Sequence, residues 1–123
     1  MHSCDIRMPP HTLKVRVRIM NEEQIAFGPG KAELLESLLA TGSLNRTASE
    51  MKMSYVKALA LARTMNTQFA QPLVELARGG KDGGGTHVTA LGRKVLAEYQ
   101  AMAAATEKAA RPSWQKLRKL LRG

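Results

Sequence analysis

Residues Ser43 to Phe69 read SLNRTASEMKMSYVKALALARTMNTQF. Leu44, Thr47, Ala48 and Met51 recur at the spacing of one buried helix face, and Ser43 stands where an N-cap is needed. Lys52-Met53 leaves room only for a tight turn. Ser54 is then a second N-cap, and Tyr55, Ala58, Leu59, Ala62, Met65 and Phe69 form a second apolar stripe. The opposite face carries Val56, Lys57, Ala60, Arg63, Thr64 and Thr67. From Met51 to Val74 there are three basic residues, Lys52, Lys57 and Arg63, and no acid. Two helices, a short turn and a basic face on the second helix make the layout of a helix-turn-helix DNA reader.

Working outward, Leu13 to Met20 alternates Leu13, Val15, Val17 and Ile19 with Lys14, Arg16 and Arg18, which predicts a half-buried strand. Asn21 to Gln24 is a turn, and Ile25 to Phe27 returns as a short second strand. Arg16 and Arg18 read as a solvated strand face. Gly28-Pro29-Gly30 opens a helix from about Lys31 to Thr41, closed by Gly42, with Ala32, Leu35, Leu38 and Leu39 buried and Leu34 beside them. A nucleotide-loop reading of these glycines fails, because Glu33 stands where a third Gly is needed.

On the other side, Leu73–Ala77 and Thr86–Val88 read as the strands of a hairpin. Its tip, residues 79–85, has five glycines in seven positions. It lacks the Gly-Lys-Ser/Thr of a phosphate loop. A hairpin following a helix-turn-helix is a wing, and Arg78 and Lys81 are placed to reach a phosphate backbone. Thr89 caps a long helix, Ala90 to about Ala110, with Leu91, Val95, Tyr99, Met102 and Thr106 on one stripe. Its alanine-rich second half suits close packing on a second copy, with Val95, Tyr99 and Met102 as dimer contacts. Arg111-Pro112 is expected to end it. Ser113 then caps a short basic amphipathic segment, Trp114 to Leu121, to which no function is assigned.

The 123 residues suit one domain with extensions, and 44% of them are hydrophobic, enough for a core of Leu, Ala, Val and Met. Residues 1–12 read as a disordered tail, 13–110 as the folded domain and 111–123 as a basic tail. Nineteen Lys and Arg against ten Asp and Glu give +9, which favours a polyanionic partner. The excess sits at the two ends. Residues 111–123 hold five basic residues and no acid, whereas 21–110 hold ten basic and nine acidic. The acid-free window around Lys57 and Arg63 is therefore the more telling feature. The acids Glu22, Glu23, Glu33 and Glu36 are expected to face away from DNA. One cysteine, Cys4, agrees with a reducing compartment. With no apolar leader and no membrane-length run, the expected location is the cytoplasm. His2, His11 and His87 are scattered and join no metal spacing, carboxylate pair or nucleophile, so neither an enzyme nor a cofactor is expected.

The chain resembles the N-terminal winged helix-turn-helix domain of the molybdate-responsive, ModE-type regulators, which is related to that of LysR-type regulators. The resemblance runs from about Leu13 to Ala105. It rests on Phe27-Gly-Pro-Gly-Lys-Ala-Glu-Leu-Leu35, Thr41-Gly-Ser43, Met53-Ser-Tyr55, Met65-Asn66, Pro72-Leu-Val-Glu75, the glycine-rich wing and Val88-Thr-x-x-Gly92. It implies a mainly α fold with a small β component: an N-terminal β-hairpin, a three-helix core, a wing and a long C-terminal dimerisation helix. It also implies a transcription factor that puts helix 54–69 in the major groove of double-stranded DNA and works as a homodimer. Ser54, Tyr55 and Lys57 are the expected base or phosphate contacts, with Arg63, Arg46 and Lys52 on phosphates and Arg78 and Lys81 from the wing. Two positions depart from the family, which has a basic residue where Val56 stands and a tryptophan where Leu59 stands. The effector-binding domains of the full-length regulators are not expected here, nor is a small-molecule effector site. A protein-interaction module or a nonspecific DNA-binding protein is the alternative.

Overall fold

A computed structural model describes residues 10–76 and 86–123. The expected glycine-rich tip, Arg78 and Lys81 lie outside the described residues, as does most of the expected disordered tail.

The chain runs β1 (Ile19–Asn21), β2 (Gln24–Phe27), α1 (Pro29–Thr41), α2 (Leu44–Glu50), α3 (Tyr55–Thr67), β3 (Val74–Glu75), β4 (His87–Val88) and α4 (Ala90–Arg118). It is mainly helical with two small antiparallel strand pairs, an architecture compatible with a winged helix. β1 pairs with β2, with a bulge between Ile19 and Met20. β3 pairs with β4 through Val74 opposite Val88 and Glu75 opposite His87.

The helix boundaries follow local chemistry. Gly28 is the N-cap of α1 and Pro29 takes its first position, where the missing N–H is not needed. Gly42 ends the helix at φ 69°, and its N–H donates to the Leu38 carbonyl at 2.8 Å. Ser43 Oγ accepts from the Arg46 N–H and Ser54 Oγ from the Lys57 N–H, each at 3.1 Å. Both expected caps are therefore in place. The turn between α2 and α3 is closed by Lys52 N–H to Ser49 O at 3.1 Å and Met53 N–H to Ala48 O at 3.0 Å. That pair of bonds is a Schellman motif, and it places Lys52 at φ 57°, a left-handed position that usually belongs to Gly.

Phe27 lies at the centre of the core. It meets Phe69 edge-on at 6.2 Å and Tyr99 edge-on at 5.1 Å between ring centroids. Leu34, Leu35 and Leu38 of α1, Leu44 and Ala48 of α2, Ala58, Ala62 and Met65 of α3, and Leu73, Val74, Val88 and Leu96 share this interior. Asn66 fastens α3 to β3: its Nδ2 donates to Val74 O at 2.9 Å, and its Oδ1 accepts from Leu73 N and Val74 N at 2.9 and 3.1 Å.

Four expectations are corrected. The strand predicted over 13–20 begins only at Ile19. Leu13, Val15, Val17 and Ile19 alternate as half-buried residues all the same. Their period of two comes from lying against helices, because the four-residue β2 is too short to pair with a longer strand. Leu39 is 40% exposed and Leu34 takes its place inside. Tyr55, put on the inner stripe, is 46% exposed. The long helix does not stop at Ala110: α4 continues through Pro112 to Arg118, 29 residues in all. At 1.5 Å per residue this is roughly 43 Å. Proline there removes one backbone hydrogen bond, and in an exposed helix water can satisfy the freed carbonyl.

Candidate nucleic-acid interface

Positioning starts at Ser54. Its cap fixes the first turn of α3, and the buried Ala58, Ala62 and Met65 turn one side of the helix into the core. The side directly opposite carries Val56, Ala60, Arg63 and Thr67, spaced four, three and four residues apart, so they form one outer ridge. Lys57 and Thr64 flank it. All six are exposed. Ser54 and Tyr55 lie exposed at the N-terminal end of α3, Lys52 is exposed in the preceding turn, and Arg46 is exposed on α2. The structure thus brings Ser54, Tyr55, Lys57, Arg63, Lys52 and Arg46 onto the surface of α2, α3 and their turn.

Among the described residues no carboxylate pairs with the cations on this surface. The only basic side-chain nitrogen among these residues within 4 Å of a carboxylate oxygen is His87 Nε2, 3.1 Å from Glu75 Oε1 across β4 and β3. None of Arg46, Lys52, Lys57 or Arg63 has a described carboxylate that close, so all four cations can meet an outside anion.

A second group of cations, Arg16, Arg18 and Lys31, lines a cleft of about 220 Å³ at the start of α1, beside Leu61 of α3. Lys31 Nζ donates to Ile25 O at 3.0 Å, and partial burial holds its pKa below the usual lysine value. The alternation of Arg16 and Arg18 with apolar residues indicated their exposure but not this grouping.

The residues expected at a dimer contact separate. Tyr99 is buried in its own chain, its hydroxyl donating to Val17 O at 2.7 Å. Val95 is half-buried against the core, and Met102 is 39% exposed. Beyond them α4 is largely exposed.

The chain is 36% identical to the molybdenum transport protein ModE of Azotobacter vinelandii, across 87 residues that make up 71% of this chain and 32% of that one. It is 35% identical over 98 residues to the transcriptional regulator ModE of Yersinia pestis, 80% of this chain and 35% of that one. The chain carries a ModE-type N-terminal domain. The DNA-binding transcriptional dual regulator ModE of Escherichia coli K12 is 31% identical to this ModE-type domain over 88 residues, 72% of this chain and 34% of that one. The chain spans about a third of the length of these curated relatives. No protein-family model matches it.

The Yersinia and Escherichia relatives are named as transcriptional regulators. Among the described residues no three His, Cys, Asp or Glu side chains gather as metal ligands. No helix among them is long and apolar enough to cross a membrane.

Proposed function

We propose that the chain is a sequence-specific, DNA-binding transcriptional regulator that acts in the cytoplasm as a homodimer and lays α3 in the major groove. The observation that carries this reading is the outer face of α3. It is a capped, buttressed helix whose exposed ridge and flank hold Arg63 and Lys57, with no acid from Met51 to Val74. Ser54, Tyr55 and Lys57, at the helix end that enters the groove, contact base edges or phosphates. Arg63, Arg46 and Lys52 hold the backbone. Arg78 and Lys81 are assigned to the wing and reach the flanking backbone.

The dimer is assigned to α4, with Met102 as its exposed contact and Val95 and Tyr99 supporting the helix from below. The names of the relatives as transcriptional regulators support the same reading. Molybdenum appears in the name of the Azotobacter protein, of which this chain spans about a third.

The test is a titration of labelled genomic duplex, including the region upstream of the protein's own coding sequence, against scrambled duplex at two salt concentrations. Selective binding that weakens with salt is expected. Equal binding to both duplexes would leave a nonspecific DNA-binding protein. No binding at low salt would replace the reading with a protein-interaction module.

A further inference from the structure

Val56 is 74% exposed, and among the described large hydrophobic residues only Leu120, beyond the end of α4, is more so. It is the second residue of α3, held there by the Ser54 cap and pointing directly away from buried Ala58, Ala62 and Met65. An apolar, β-branched side chain gains nothing from water at such a position and has no donor for a phosphate. It gains only from an apolar surface brought against it.

Its neighbours define what that surface can be. Ala60, one turn on, is small and also exposed, so the ridge is low there and the helix backbone can approach a groove floor closely. Lys57 and Arg63 flank and follow, and both favour a polyanion. The N-terminal end of such a helix is the part that reaches base edges. On the floor of the major groove the apolar group on display is the C5-methyl of thymine. Resting on the DNA-binding reading above, we infer that Val56 is a specificity residue that packs on a thymine methyl within each half-site.

The test uses the full chain and a duplex selected by it from a random library. Each thymine of the selected site is replaced in turn by uracil, which pairs identically but lacks the methyl. At one thymine per half-site the replacement weakens binding of the unaltered protein about three- to tenfold, the effect of burying roughly one methyl. Val56→Ala binds the thymine duplex correspondingly less well and is indifferent to uracil at that position, within about twofold. Val56 is exposed, so Val56→Ala should keep its helical circular-dichroism spectrum and thermal midpoint. Uracil without effect at every position overturns the assignment, as does a uracil effect that is equally large in Val56→Ala. A library that yields no enriched sequence overturns the DNA-binding reading itself, and Val56 with it; that result is distinct from enrichment without methyl dependence.

Discussion

Gly92, one turn into α4, lies directly against the Leu73 carbonyl that leads into β3. A Cβ built on it would run into the Leu73 oxygen and stand 2.7 Å from Val88 Cγ1. The same carbonyl accepts from Thr89 N–H at 2.9 Å, and Thr89 Oγ1 donates to Pro72 O at 2.8 Å while accepting from Gly92 N–H at 3.0 Å. The start of α4 and the base of the β3–β4 pair are thereby locked backbone to backbone. Gly92→Ala has no flexible side chain to push aside and must separate them. A loss of about 3 kcal/mol is expected, at the upper end of overpacking. Urea unfolding measures it, and an unchanged midpoint would show that this junction gives way freely.

Asn66 makes three hydrogen bonds to the backbone of Leu73 and Val74. Asn66→Ala leaves those part-buried groups without partners and should cost about 2–3 kcal/mol. Asn66→Asp keeps an acceptor for the two N–H groups but loses the donor to Val74 O. Its unfolding midpoint should fall between those of the parent and the alanine variant.

Lys52 occupies a left-handed position at φ 57°. Lys52→Gly removes strain of about 1–2 kcal/mol and returns part of it as greater freedom of the unfolded chain. The expected net is a gain of about 0.5–1 kcal/mol in stability, together with weaker DNA binding if Lys52 meets a phosphate as proposed. A variant that is both more stable and weaker in binding separates the two roles of this residue; reduced stability would refute the strain argument.

Lys57→Ala and Arg63→Ala should each leave folding intact, since both side chains are exposed. Each lost phosphate contact lowers the log–log salt slope of DNA binding by about 0.9. Affinity and slope both unchanged in the double variant would show that α3 does not face the DNA.

Burial raises the Tyr99 pKa above its ordinary value of 10.0, against a smaller opposite pull from Arg18. The folded state therefore holds this proton more tightly than the unfolded chain. The stabilisation is complete below pH 10.0 and is lost as pH rises through the folded-state value. Tyr99→Phe should lose about 1 kcal/mol at neutral pH with the Val17 bond, and its stability should fall less steeply above about pH 10. Thermal melts at neutral and alkaline pH compare the two proteins. Lys31, whose pKa is lowered, works the other way, its burial disfavouring the charged form.

Taken alone, the sequence determined where α1 closes and where α2 and α3 begin. Pro29, Gly42, Ser43 and Ser54 act on backbone groups within four residues of themselves, and that range is visible in a string of letters. It also determined the acid-free outer face of α3, because helical spacing converts sequence position directly into direction. Tertiary structure decided the rest. The alternation of Leu13 to Ile19 indicated a two-sided segment, but whether a strand or a helix would cover it depended on elements far along the chain. Tyr99 reaches across 82 positions to Val17. Leu39 and Leu34 are equally apolar, and the geometry of packing left one out and took the other in. Pro112 carries a local signal to stop, which the flanking helix of α4 overrides. Asn66 reads as an ordinary polar residue until β3 arrives beside it. The exposure of Val56 follows from the same rule: periodicity places it opposite the core, and only the folded chain shows that it is 74% exposed there.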